Sequence, residues 1–291
     1  MKKEYLYAIL SILMWSTFAT ACKLLMGKFN NIQMLCVSSL LAGISLLIIA
    51  LFSKNRSVYK TYKPRDYLAM ILIGMPGTFF YYVFYYTGAA KLLASQAFII
   101  NYMWPIMSIV FACIILKEKL TLKRAVAILL SFVGVMFVAG RDLFAFNPAT
   151  LVSMLFCFGA AVCYGLYNAL SKKADYDSCF INMLSFFATF LLTVVIIVVR
   201  KDYFSLSFTE LAGFVWTGMF TMAIPNTLWV LALKKGNTAK ISNLAYITPF
   251  LSTVWTILFL KEPLDILSVV GLVIMVGGIL IQLKETSVSN R

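Results

Sequence analysis

The chain contains no histidine, and only 12% of its 291 residues are charged. The first absence removes the commonest proton shuttle and metal ligand. The second removes the solvated surface of a soluble domain, in which about a quarter of residues carry charge. Six cysteines are present (Cys22, Cys36, Cys113, Cys157, Cys163, Cys179), but none are spaced C-x-x-C. They read as small buried hydrophobes, not as a zinc or disulfide framework. No G-x-x-x-x-G-K-[ST] is available to a nucleotide-driven pump, and no G-x-S-x-G to a serine nucleophile. No carbonyl filter or charged ring points to a channel. The expectation is a protein without catalytic residues, resident metal or cofactor, with an intramembrane enzyme as the alternative of a different class.

What is present is apolar: 62% of residues are hydrophobic and the mean hydropathy is +0.91. A soluble core of this size cannot hide that excess, so lipid is the expected solvent. A helix needs about 20 residues to cross roughly 30 Å of hydrocarbon. Runs of that length fall near 5–25, 33–52, 67–88, 94–116 and 123–140, and again near 149–171, 179–199, 210–233, 239–260 and 265–283. They are continuous rather than alternating, which excludes barrel strands. The sequence therefore predicts an all-α membrane protein with ten transmembrane helices, the first retained rather than cleaved as a signal.

The net charge of +14 sits in short clusters between these runs, not on a basic face that would suit nucleic acid. One side of the predicted topology collects 18 of the 25 Lys and Arg residues and the other 7. By the positive-inside rule both termini are cytoplasmic, and the expected location is the cell inner (plasma) membrane. The eleven Asp and Glu residues all fall in loops or at helix ends, so no carboxylate stands at mid-membrane for a proton relay. Glu118 and Glu262 each follow a lysine at a helix end, where the dipole disfavours a carboxylate. A structural partner, a gate contact or a local Lys-Glu loop pair would each account for them. Lys23 and Lys172, at the ends of helices one and six, read as snorkelling to the interface.

The two halves resemble each other. A shift of 144 pairs Gly74-Met75 with Gly218-Met219, Lys91 with Lys235, Tyr102 with Tyr246, Pro105 with Pro249, Ser108 with Ser252, Leu116-Lys117-Glu118 with Leu260-Lys261-Glu262, and Gly134 with Gly278. A shift of 149 pairs Trp15-Ser16 through Lys23 with Tyr164-Gly165 through Lys172. Residues 1–145 and 146–291 then form two repeats of five helices. Five is odd, so the copies lie inverted in the bilayer. The charges agree: Lys119, Lys123 and Arg124 correspond to Pro263, Leu267 and Ser268 on the opposite side.

Two five-helix copies, W-S…K in the first helix, a proline within the fourth and K-E at its end resemble the EamA-type drug/metabolite transporters. The resemblance spans nearly the whole chain. It implies a secondary carrier or exporter with a cavity between the repeats and no nucleotide site, moving small metabolites such as amino acids; a lipid or lipid-linked flippase is the alternative.

Polar and aromatic residues at mid-depth are the cavity candidates: Trp15, Tyr82, Asn101, Trp104, Tyr164, Asn226, Trp229 and Tyr246 as substrate-binding residues, with Thr17, Tyr85, Tyr86, Tyr167, Asn168 and Asn243 beside them. Asparagine in hydrocarbon needs a partner. For Asn101 and Asn226 that partner is either substrate or an interhelical hydrogen bond. Aromatic faces with amides suit amphiphilic or ring-bearing solutes, and cations as well. Pro105 and Pro249, about halfway along helices four and nine, are read as hinge or cavity-shaping residues, or as static kinks. Glycines such as Gly134, Gly271, Gly277 and Gly278 permit close helix contact, within the bundle or between copies. The expected partners are a small-molecule substrate and the bilayer, with the chain a monomer or homodimer.

Overall fold

The structure, a computed structural model, describes residues 3–53, 61–118, 121–144, 147–235, 244–263 and 266–288. Within these ranges the side chains of 123, 124, 127, 138–144, 230, 233–235, 246 and 279–288 lie outside the description. In the first half, α1 (Lys3–Ser16) and α2 (Phe18–Met26) make one rod with a hitch at Thr17. They are followed by α3 (Asn31–Leu51), α4 (Pro64–Met75), a π-helical segment (Pro76–Phe80), α5 (Tyr81–Ala89), α6 (Ala94–Asn101), α7 (Trp104–Ile115) and α8 (Leu122–Phe144). The second half runs α9 (Pro148–Lys173), α10 (Ser178–Arg200), α11 (Phe208–Val215), a π segment (Trp216–Ala223), α12 (Ile224–Lys235), a 3-10 turn (Ala245–Ile247), α13 (Thr248–Leu260) and α14 (Ile266–Val288). Among the described residues there is no strand.

Among the described residues, six helical stretches are long and apolar enough to cross a membrane: Lys3–Met26, Asn31–Leu51, Pro64–Ala89, Ala94–Ile115, Pro148–Lys173 and Ser178–Arg200. Shorter apolar helices follow at Ile128–Phe137, Thr248–Leu260 and Ile266–Gly278. Part of the predicted run 239–260 lies outside the described residues. Large apolar side chains cover the outside of the bundle, including Leu72, Leu155, Val199 and Leu258, each more than 60% exposed. In water such a surface would aggregate; in lipid it is solvated.

Packing repeats between the halves. Helix α1 lies on α12, and α9 lies on α5. Helices α3 and α10 pack together, as do α8 and α14. The identical pair Gly74 and Gly218 mark matching crossings. A Cβ on Gly74 would lie 1.8 Å from Ser185 Oγ on α10, and one on Gly218 would lie 2.6 Å from the Ser38 carbonyl on α3. The paired lysines of the L-K-E steps, Lys117 and Lys261, both adopt the left-handed conformation, with φ of 55° and 54°. Each lets the following amide return to the helix it leaves: Glu118 N–H to Ala112 O (3.3 Å) and Glu262 N–H to Thr256 O (3.4 Å).

The predicted fourth helix is not continuous. It breaks at Tyr102–Met103, so Pro105 occupies the first turn of α7, where a missing N–H leaves no ladder bond unmade. Pro249 likewise sits in the first turn of α13, after the 3-10 turn. Neither proline kinks a helix interior. Gly134 serves packing within the bundle, since a Cβ there would lie 2.6 Å from the Gly271 carbonyl; nothing lies within 4 Å of one on Gly277.

At the start of α3, Asn30 accepts from the Ile32 and Gln33 amides (both 3.0 Å) while the Gln33 side chain accepts from Asn30 N–H. This capping box satisfies donors that lipid cannot. Asn30→Ala should lower stability by about 1 kcal/mol, read as a small fall in melting temperature in detergent.

Candidate functional site

The α9 helix brings Tyr164 together with three candidates of the first half, Tyr82, Asn101 and Trp104. Tyr164 lies on its inner face, with its ring 5.1 Å from Tyr81 and 5.2 Å edge-on from Trp104. Tyr167, one turn on, is 5.6 Å from Tyr164. Tyr81, Tyr82, Tyr85 and Tyr86 follow directly on the π segment and are all buried. The π turn admits this because Gly77 has no side chain: a Cβ there would come within 2.5 Å of the Tyr167 ring. Phe18 of α2 closes the far side, 5.1 Å from Tyr85 and 5.9 Å from Tyr82. Edge-to-face and tilted ring pairs of this kind favour a rigid cage over a loose one.

Amides punctuate the cage. Asn101 closes α6 and is 2% exposed. Its Nδ2 donates to Tyr81 Oη at 2.9 Å. Its Oδ1 and the Tyr85 hydroxyl are buried without a hydrogen-bond partner among the described residues. An acceptor left open in hydrocarbon is costly unless something else fills it. Asn168 donates to Ser108 Oγ at 2.9 Å, and Tyr167 donates to Asn182 Oδ1 at 2.8 Å; both bonds join neighbouring helices and hold the wall.

The remaining candidates stand apart from this cluster. Trp15 and Trp229 pair with each other at 5.4 Å where α1 crosses α12. Asn226 donates to the Met222 carbonyl of its own helical stretch at 2.8 Å. The Tyr246 side chain and all of Asn243 lie outside the described residues. A groove of about 290 Å³ lined by Thr87, Lys91, Pro148, Ala149, Val152, Ser153 and Phe156 contains none of the candidates.

Sequence reasoning missed Tyr81, left the role of Glu262 open between a structural partner, a gate contact and a loop pair, and gave Lys23 only a snorkelling role. Tyr81 stood among four tyrosines with no signal to rank it. Glu262 does not serve the helix it follows: its carboxylate accepts from the Ala94 amide, from the Ser95 amide at 3.1 Å and from the Ser95 hydroxyl at 2.8 Å, capping α6. The carboxylate that is misplaced for a C-terminus is well placed for an N-terminus in the other half. Lys23 does more than snorkel. Its ammonium donates to the carbonyls of Ala89 (2.7 Å) and Leu92 (2.6 Å), capping the end of α5. Among the described residues no group of three His, Cys, Asp or Glu side chains could hold a metal.

A helical fold of two matching halves enclosing aromatic and amide side chains has known counterparts. A crystal structure 20% identical in sequence superposes with a TM-score of 0.70, covering 96% of each chain, which shows the fold alone. An uncharacterized transporter of Clostridium kluyveri is 27% identical over 100% of this chain and 96% of its own length. The uncharacterized transporter YyaM of Bacillus subtilis is 23% identical, over 96% of this chain and 94% of its own. A third relative, the aromatic amino acid exporter YddG of Ancylobacter novellus, is 22% identical over 62% of this chain and 63% of its own. The model of the EamA-like transporter family matches twice, over residues 2–140 and 151–283, one match for each repeat. The chain belongs to the EamA-like transporter family and is a multi-pass membrane protein with that family's two-repeat architecture.

Proposed function

We propose that this protein is a secondary carrier that exchanges or exports small amphiphilic metabolites, amino acids with ring-bearing side chains foremost. It works by alternating access of a central site between two inverted five-helix repeats, in the inner membrane, with ten spans and both termini cytoplasmic. The observation that carries the cargo class is the Tyr81–Tyr164–Trp104 cage with the open Oδ1 of Asn101. Ring faces accept a flat side chain or an ammonium, and the amide oxygen accepts an N–H. The aromatic amino acid exporter among the relatives supports the same class. The acidic residues, all at helix ends or in loops, support exchange without an obligatory proton relay.

Solute counterflow in proteoliposomes tests this reading. Vesicles are loaded in turn with unlabelled amino acids, nucleobases or quaternary amines, and a labelled trace is added outside with no ion gradient. Transient accumulation is expected with aromatic amino acids. Silence across the panel from folded protein would overturn the gradient-free carrier and favour lipid flipping or strict ion coupling.

A further inference from the structure

The rod made by α1 and α2 is interrupted a little past the middle of its span. At the hitch the Thr17 amide returns to the Met14 carbonyl, three residues back, at 3.2 Å. The side chains take the same route: Ser16 Oγ donates to Leu13 O and Thr17 Oγ1 to Met14 O, both at 2.8 Å. Hydroxyls that bond back to their own helix bend it. Each hydroxyl has then spent its one proton and keeps lone pairs for a donor from elsewhere.

Those donors are tryptophans of the second repeat. Trp255 of α13 donates its indole N–H to Ser16 Oγ at 2.8 Å, and Trp216 of the second π segment donates to Thr17 Oγ1 at 2.9 Å. Trp15, the residue before, packs its ring on Trp229 of α12 at 5.4 Å. The second half of the chain has three tryptophans, Trp216, Trp229 and Trp255. All three meet the rod at the consecutive residues Trp15, Ser16 and Thr17. An indole N–H in hydrocarbon needs an acceptor, and two of the three find it at the hitch.

The other repeat shows what the hitch does to the site. By the shift of 149, Trp15, Ser16, Thr17 and Phe18 correspond to Tyr164, Gly165, Leu166 and Tyr167, and α9 runs unbroken through them. Residues three apart on a helix share a face, and the Tyr164 and Tyr167 rings accordingly lie 5.6 Å apart. Trp15 and Phe18 are also three apart. Yet Trp15 meets the second repeat at Trp229, while Phe18 meets the first at Tyr85 and Tyr82. The hitch divides one helical face between the two repeats. Gly165 has no hydroxyl to receive an indole, and the backbone of Met107 and Ser108 lies against it instead.

We propose that Trp255 and Trp216 are positioning residues of the aromatic site: their indole N–H groups hold the hitch at Ser16 and Thr17, and the hitch turns Phe18 onto Tyr82 and Tyr85 to close the cage. They act through Phe18, not on the cargo. The proposal rests on the carrier reading above, in which that cage takes the ring of the cargo. Ser16→Ala and Trp255→Phe each remove one side of the same bond. In counterflow with a labelled aromatic amino acid, each should raise KM about tenfold while the maximal rate stays within about twofold. The double variant should be no worse than the weaker of the two singles, because one bond is lost only once. An unmoved KM, a fall in maximal rate alone, or single effects that multiply in the double variant would overturn the proposal.

A second measurement needs no cargo. Cys22 lies one turn beyond Phe18 on α2 and is 1% exposed, and Cys157 on α9 is 0% exposed. Purified protein in detergent is treated with N-ethylmaleimide, and labelling of each cysteine is followed by peptide mass. Ser16→Ala and, separately, Thr17→Val, which removes the acceptor of Trp216, should speed labelling of Cys22 about tenfold and leave Cys157 at its wild-type rate. An unchanged rate at Cys22, or a joint rise at both cysteines with a lower melting temperature, would overturn the proposal. The expected labelling with silent counterflow from the wild-type protein would count against the carrier reading alone.

Discussion

Gly165→Val should unfold or severely loosen the protein. Gly165 is where α9 meets α7 backbone to backbone. An added Cβ would lie 2.5 Å from Met107 Cβ, 2.6 Å from the Met107 carbonyl carbon and 2.7 Å from the Ser108 amide nitrogen. None of these is the end of a flexible side chain, so the two helices must separate. Overpacking of a tight core typically costs about 1–3 kcal/mol, more where backbone has to move. A β-branched side chain here should reach the upper end or beyond it, a fall on the order of 10 °C in melting temperature. Gly27→Val is the control, because nothing lies within 4 Å of its Cβ and its backbone is ordinary αR. Thermal unfolding of the two variants in detergent, followed by size-exclusion chromatography, should separate them clearly. Equal behaviour would mean that α7 and α9 do not cross as described. Separation would also drag Tyr164 away from Trp104, so residual transport should fall further than the folded fraction.

Asn101→Ala should lower transport more than it lowers stability. The Nδ2–Tyr81 bond is an ordinary interhelical contact, worth about 1 kcal/mol. The open Oδ1 is the part that a substrate N–H would use. Losing such a bond from a buried site costs about 1–3 kcal/mol, or roughly 5- to 150-fold in apparent affinity. The expected result is a rise of that size in KM for counterflow, with a melting temperature within a few degrees of wild type. Tyr81→Phe separates the two roles, since it removes only the partner of Nδ2 and should leave KM within about threefold. If Asn101→Ala destabilises the protein while KM stays put, Asn101 is glue between α5 and α6, and the binding role assigned to it is lost.

Much of this was written in the chain order. Apolar runs about 20 residues long between basic clusters announce membrane helices because hydrocarbon tolerates no unpaired backbone. The L-K-E steps at 116–118 and 260–262 announced the repeat, and the structure gives both the same left-handed lysine. Pro105 and Pro249 were legible as a matched pair but not as helix starts. Composition does not say that a helix will break two residues before its proline. Among the site candidates, Tyr82, Asn101, Trp104 and Tyr164 were found by depth alone and share one cluster. Trp15 and Trp229 met the same criterion and form a separate pair.

What the sequence alone determined is set by short-range physics: that the chain is helical, which solvent it needs, and which segments are copies of one another. What only the tertiary structure decided is which ends face which. Glu262 looked wrong for its own helix because the helix it stabilises begins 168 residues earlier in the chain. Tyr81 became the partner of Asn101 because Gly77 lets the π segment lie against the Tyr167 ring. Lys23 became a cap because the turn after α5 is folded back over the end of α2. Charge at a helix end acts within a few ångströms, and closeness of that kind comes from packing across the chain, not from spacing along it.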